Sequence, residues 1–244
     1  MSIKLSKRMK CIVDMVTPGR VVADIGCDHG YISIYLVEEG IAKKVYAMDV
    51  AEGPLGIARS NIESRALSDK IETRLSNGFE ALEAGESDCA VIAGMGGNLI
   101  IDIISGGLHK ISNNYELVLS PQSDIPLVRT FLREHGFIIM DEEMLSEDGK
   151  YYNVIKAVMD DRSLNISSGS YDSIDEKTRF LYDTYGEKLI EKKHAVLKEY
   201  LQKQEENYQG LFCRMSKQTG VNVINRMSQL RSEIEDIENV LELI

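Results

Sequence analysis

Residues 22–32 read VADIGCDHGYI: an apolar run closing on Asp24, a turn carrying Gly26 and Gly30, and the opening of a helix. Glycine permits the tight turn and lets the backbone come close to a ligand, so this segment requires a strand that opens directly into a helix N-terminus. The same strand-then-helix rhythm continues downstream. The runs VVADI, KKVYAMDV, IETRLS, DCAVIAG and YELVLS are separated by helix-sized intervals, which implies βα units and a parallel sheet. Two further runs, FIIMDEEML and YYNVIKAVM, lie close enough to pair as a hairpin. The expected fold is therefore α/β, doubly wound, mostly parallel, with an antiparallel edge. Helices are expected at residues 32–38, 55–64, 99–104 and 125–135, the last stopped by Gly136, with another at 5–16 ahead of the first strand.

Residues 160–171 (DDRSLNISSGSY) are polar, serine-rich and aperiodic, and they mark a boundary between a first domain of residues 1–160 and a second of 161–244. Ser173 and Glu176 have capping-box spacing, and the segment beyond them reads as long helices with Gly186 and Gly210 as weak points. Ile224, Met227, Ile234, Ile237 and Leu241 form one apolar stripe; Leu189, Val196, Tyr200 and Leu211 form a looser one. Two such helices joined around Thr219-Gly220 make a helical hairpin or coiled coil.

Charge and cysteine usage bound the partners. The net charge of −11 opposes a nucleic-acid partner as a total, but Lys4, Lys7, Arg8 and Lys10 are basic together, and residues 177–231 hold 11 Lys/Arg against 6 Asp/Glu. Cys11, Cys27, Cys89 and Cys213 are too scattered for a disulfide framework or a zinc site, so reduced thiols, two of them in the core, and no metal are expected. No apolar run reaches the roughly 20 residues of a membrane span, and the basic start MSIKLSKRMKC is not followed by a leader-like apolar core. A cytoplasmic protein is expected.

Three loops carry the chemistry. The strand VYAMD ends in Asp49, where a carboxylate can accept both hydroxyls of a ribose. Ser76-Asn77-Gly78 follows the third strand, where an amide side chain can read an adenine edge, and Gly94-Met95-Gly96-Gly97 follows the fourth. A dinucleotide site and an S-adenosylmethionine site share this geometry. The first loop, GCDHG, has two glycines instead of the three of G-x-G-x-x-G, which favours the methyl donor over a nicotinamide cofactor.

The motifs DIGCDHGY, AMDVAEGPL, LSNGFEAL, VIAGMGG, LSPQSD and EDGKYYNVIKA, in this order over residues 1–160, closely resemble the bacterial tRNA (adenine-22-N1)-methyltransferase family. The resemblance implies a class I Rossmann-like methyltransferase domain followed by a helical, coiled-coil-like domain. It also implies methyl transfer from S-adenosylmethionine to N1 of an adenine in the D-arm region of tRNA. On this reading Gly26 and the backbone around Asp28 and His29 cradle the methionine part of the cofactor. Asp24 fixes the loop or meets the ammonium group, Asp49 holds the ribose, and Asn77 with Gly78 brackets the adenine.

Gly94 and Met95 open the GMGG loop, which stands where related amino-methylating enzymes carry an Asn/Asp-Pro-Pro-aromatic tetrapeptide. The target base must therefore be held by other groups, for which Tyr31, Gln122, Asp124, Tyr151 and Tyr152 are candidates. Asp28, His29 and Tyr31 are the candidate catalytic residues, as orienting and electrostatic groups. Lys7, Arg8, Lys188, Lys192, Lys193 and Lys198 are candidate RNA contacts, against the alternative that the helical lysines merely pair with neighbouring glutamates. Competing readings are a small-molecule or protein methyltransferase whose helical arm dimerises, and a noncatalytic RNA-binding module. A monomer is favoured slightly over an oligomer.

Overall fold

The seven apolar runs are the strands of one sheet: β1 (Arg20–Ile25), β2 (Ala42–Asp49), β3 (Ile71–Leu75), β4 (Cys89–Ala93), β5 (Glu116–Ser120), β6 (Phe137–Glu147) and β7 (Lys150–Met159). They lie in the order β3-β2-β1-β4-β5-β7-β6. This computed structural model describes residues 3–160, 174–217 and 220–244. The chain divides into two units, Met1–Ser173 and Ile174–Ile244. β1 to β5 pair in parallel, and β7 runs antiparallel between β5 and β6, so the hairpin inserts its second strand into the sheet. The strand order reverses at β1, which has β2 on one side and β4 on the other. Such a switch point leaves a crevice at the carboxyl ends of the strands.

Helices cover both faces: α1 (Lys7–Met15), α2 (Tyr31–Glu38), α3 (Glu52–Glu63), α4 (Gly97–Gly107) and α5 (Ile125–Glu134). Successive strand residues point to opposite faces. Val22, Val91 and Val118 accordingly pack with α1, α2 and α3, while Ala23, Ile25, Ile92 and Leu117 pack with α4 and α5. α4 is longer than the expected 99–104. Glycines at its ends argue against helix by propensity, but packing reverses that, since a Cβ on Gly107 would lie 2.3 Å from the Phe79 ring.

α1 is tied down at both ends. The Lys7 N–H donates to Glu147 (2.6 Å), and past the helix the Thr17 N–H donates to Glu116 (2.8 Å). Glu116 is 1% exposed and is also paired with Lys156 at 3.1 Å, which satisfies a carboxylate that burial would otherwise penalise.

The second unit holds α6 (Glu176–Leu181), α7 (Glu187–Glu191), α8 (Ala195–Met215) and α9 (Val221–Leu243). Asp175, not Ser173, caps α6, accepting the Thr178 N–H; Ser173 itself lies outside the described residues. Gly186 does interrupt the helix, after a π-helical turn at Tyr182–Gly186, whereas Gly210 sits inside an unbroken α8. α8 and α9 pack on each other, and Leu197 and Leu201 of α8 and Leu230, Ile237 and Val240 of α9 are buried. The expected stripe is corrected here: Ile224 is exposed and Ile237 is the one expected residue of that stripe that is buried. Overlapping three- and four-residue steps describe several faces of one helix, and only the partner selects among them. The expected turn residue Thr219, and the expected linker from residue 161 onward, lie outside the described residues.

Cys27 and Cys89 are buried, and none of the four cysteines forms a disulfide. Among the described residues no group of side chains could hold a metal ion, and no helix is long and apolar enough to cross a membrane.

Candidate active site and cofactor crevice

A cavity of about 380 Å³ opens at the carboxyl ends of β1, β2 and β4. Its lining brings together Asp24, Gly26, Asp28, His29, Tyr31, Asp49, Asn77, Gly78, Gly94 and Met95, residues drawn from four separate loops. α1 contributes Arg8, Met9 and Ile12, α4 contributes Leu99 and Ile103, and the loop after β5 contributes Gln122.

Asp24 is 3% exposed, and its carboxylate accepts a 2.6 Å hydrogen bond from the Ser33 hydroxyl of α2. Burial raises its pKa from 3.8 to about 6, against the lowering effect of Ser33. An ionised Asp24 is thus held in a place that favours a cationic partner. Burial, with Asp24 and Asp49 nearby, also pushes the Cys27 thiol up, so Cys27 is an inert wall residue, not a nucleophile.

Gly26 has φ +77°, a left-handed conformation that side chains resist, and a Cβ there would fall 2.1 Å from Cε of Met95. The glycine therefore leaves a cradle into which Met95 leans. Asp28 is left-handed as well, at φ +51°, and its N–H donates to Oδ2 of Asp49 (3.1 Å). The other oxygen of Asp49 accepts from the Ala51 N–H (2.9 Å), so this carboxylate shapes both loops while lining the cavity. The turn after β3 is held from behind, where the Lys110 ammonium donates to the carbonyls of Phe79, Glu80 and Leu82 at 2.7–3.0 Å.

His29 lies 3.6 Å from the Asp28 carboxylate and meets Tyr31 edge-on, with ring centroids 5.8 Å apart. Tyr31 is 39% exposed and Leu99 is 51% exposed, giving the rim two apolar surfaces open to solvent. In the GMGG loop the glycines serve packing. A Cβ on Gly97 would lie 2.5 Å from the Ser123 carbonyl oxygen, and one on Gly96 would lie 3.1 Å from the Ser123 hydroxyl. Gln122 is anchored by its N–H to the Met95 carbonyl (2.9 Å).

The other candidates lie outside the crevice lining or hold partners within the chain. Neither Tyr151 nor Tyr152 lines the cavity; Tyr152 instead lies under the Arg8 guanidinium, 5.2 Å from ring centroid to carbon. Asp124 precedes α5 and accepts from Asn98 and Ser123, also away from the cavity. Lys188 is ion-paired with Glu187 and Glu191, and Lys198 donates to the Ile244 carbonyl. Lys7, Lys192 and Lys193 are exposed, whereas Arg8 lies in the crevice wall. The spacing of Arg8, Met9 and Ile12 is that of one helix face, but nothing local says that this face meets the turn after β1. Ser33 escaped notice for a similar reason, as it acts across the turn that separates β1 from α2.

The lining fits S-adenosylmethionine. A buried carboxylate, Asp24, can answer an ammonium, a second, Asp49, closes β2 and can accept from a diol, and Gly26 lines the cavity with no side chain of its own. Residues 5–155 match the family model for a methyltransferase domain, and fold and site together define a Rossmann-like methyltransferase. The chain is 30% identical over 242 residues to the tRNA (adenine(22)-N(1))-methyltransferase of Bacillus subtilis (strain 168), covering 99% of this chain and 96% of that one. The crystal structure of the B. subtilis M1A22 tRNA methyltransferase TrmK superposes with a TM-score of 0.82, covering 98% of this chain and 99% of that one at 30% identity. M. capricolum TrmK, solved with S-adenosyl-homocysteine, gives 0.79 at 27% identity, with 98% and 99% covered. The chain belongs to the tRNA (adenine(22)-N(1))-methyltransferase family.

Proposed function

We infer that the protein transfers a methyl group from S-adenosylmethionine to N1 of adenine 22 in tRNA. The observation that carries this is the full-length likeness to the B. subtilis enzyme, which runs through both units. A methyltransferase domain alone would leave the substrate open. Bound S-adenosylmethionine supplies an electrophilic methyl group on a sulfonium.

N1 of neutral adenine has an in-plane lone pair, so no residue of the chain has to remove a proton before transfer. The chain's contribution is alignment and a negative lining for charge that moves onto the adenine. Asp24 meets the ammonium group, Asp49 the ribose hydroxyls, and Asn77 with Gly78 the adenine of the cofactor. The backbone at Gly26, Asp28, His29, Gly94 and Met95 encloses the methionine part. N1 lies on the pairing edge, so adenine 22 must leave its stack to react. Tyr31 and Leu99 offer it exposed apolar surface, and Asp28 and His29 orient charge beside it. Lys7, Lys192 and Lys193 contact phosphates, with Lys188 and Lys198 available where RNA displaces their present partners. The reaction takes place in the cytoplasm.

The test is incubation with S-adenosylmethionine and unmodified tRNA, digestion to nucleosides and mass spectrometry. 1-Methyladenosine should form, and should be lost when adenine 22 of a single transcript is replaced. Cofactor binding without any methylated nucleoside would overturn the reading.

A further inference from the structure

On the β4–β5 side of the crevice the lining is apolar side chain or bare backbone, from Ala93, Gly94, Met95, Leu99 and Ile103, and Gln122 is the one polar side chain among them. The carboxylates of Asp24, Asp28 and Asp49 all belong to the β1–β2 side. Gln122 is exposed, and its carboxamide makes no hydrogen bond among the described residues. Asn77, the other amide of the lining, already donates to Glu80 (3.0 Å).

The backbone that carries Gln122 is fixed on both sides. The Gly94 N–H donates to the Ser120 carbonyl (3.2 Å), the Gln122 N–H to the Met95 carbonyl (2.9 Å) and the Gly97 N–H to the Ser123 carbonyl (3.1 Å). These three bonds stitch the loop after β5 to the GMGG loop. A Cβ on Gly94 would lie 4.0 Å from Nε2 of Gln122, so the amide stands beside the point from which a side chain at the head of that loop would start. An apolar slot with one amide at a set place suits a flat base that is read at its edge.

A carboxamide offers an oxygen that accepts and an N–H2 that donates. On the pairing edge of adenine, N1 is the atom that reacts, and the exocyclic amine beside it is a donor. Donation to N1 would occupy the lone pair that attacks, so the useful contact is Oε1 accepting from the amine. In the transfer N1 forms its bond to the methyl carbon as the carbon–sulfur bond breaks, leaving a neutral thioether and a positive charge spread over the ring and its amine. No proton leaves in this step. The amine therefore becomes a charge-assisted donor as the new bond forms, and the contact is stronger in the transition state than in the bound substrate. Resting on the reading that adenine 22 is the target, we propose that Gln122 is a catalytic residue whose Oε1 accepts from the target adenine's exocyclic amine and turns N1 toward the methyl group.

Single-turnover methyl transfer at saturating S-adenosylmethionine and tRNA, with the binding of each measured separately, tests this on the full chain. Gln122→Leu should slow transfer by roughly 10- to 100-fold, the range for a hydrogen bond to a charged group, and should leave both affinities unchanged. Gln122→Glu keeps the accepting oxygens and removes the N–H2, so at neutral pH, where an exposed carboxylate is ionised, it should restore most of the rate. The side chain is exposed, and neither change should lower the melting temperature. An unchanged rate in Gln122→Leu overturns the proposal. Gln122→Glu as slow as Gln122→Leu overturns it in favour of the N–H2, and a matching loss of S-adenosylmethionine affinity overturns it in favour of a cofactor contact. A lowered melting temperature in both variants makes the side chain structural and overturns it too. If the unaltered protein binds cofactor and tRNA but forms no 1-methyladenosine, the adenine 22 reading falls and takes the proposal with it.

Discussion

Replacing Asp24 with asparagine should make the ligand-free protein less sensitive to pH and should weaken its hold on S-adenosylmethionine. In the folded chain the Asp24 carboxyl titrates at about 6 instead of 3.8, because burial disfavours its charge more than Ser33 favours it. The folded-state value lies above the unfolded one, so the folded protein binds the extra proton between those two values. The resulting stability is fully present below the unfolded value and is lost as pH rises through about 6. At neutral pH the buried charge therefore costs about 3 kcal/mol relative to a neutral side chain, and at pH 4 less than about 1 kcal/mol.

An asparagine side chain in this place would carry no charge, so the variant should gain on the unaltered protein by about 2 kcal/mol between pH 4 and pH 7. An unpartnered amide N–H2 can cost about 1–3 kcal/mol at every pH, which is why the pH dependence is the test and the absolute stability is not. The chain has no tryptophan and 11 tyrosines, so urea unfolding can be followed by tyrosine emission at each pH. Parallel pH profiles for the two proteins would show that Asp24 titrates like an exposed carboxylate, and the burial argument would be wrong. In the same variant, S-adenosylmethionine should bind roughly 10- to 100-fold more weakly, because the ammonium loses its ionic acceptor. Undiminished affinity would remove Asp24 from that role.

Gly97→Ala should destabilise the first unit by about 1–3 kcal/mol, since the new Cβ would press on backbone, at 2.5 Å from the Ser123 carbonyl oxygen, and not on a movable side chain. Helix propensity alone forecasts a gain of about 1 kcal/mol, so a rise in melting temperature would refute the packing account. Lys110→Met strips the donor from three carbonyls behind the Asn77-Gly78 turn. It should cost about 1–3 kcal/mol and raise hydrogen exchange in residues 77–82; exchange as slow as in the unaltered protein would show that the ammonium does not hold this turn.

Much of the fold is legible from local pattern. Strand runs, helix-sized gaps and the turn at Gly26 each need only a few neighbouring residues, and the strand order then places Asp24, Asp49, Asn77 and Gly94 around one crevice. The motif resemblance extended that reading to a substrate, which spacing alone did not reach.

What escaped the sequence depends on which surfaces meet. Tyr151 and Tyr152 alternate across β7 as any strand pair does, but the insertion of β7 beside β5 sets Tyr152 under Arg8 and leaves both tyrosines off the crevice. The last two glycines of GMGG stand where related amino-methylating enzymes carry larger residues, and the loop at Ser123 shows them to be sites of close backbone packing. The buried seam of α8 and α9 likewise follows from the partner helix. Turns and periodicities are short-range consequences of backbone geometry and are written locally. The burial of Asp24, the seat of Arg8 on Tyr152 and the packing of the glycines exist only once distant segments exclude water from the same space.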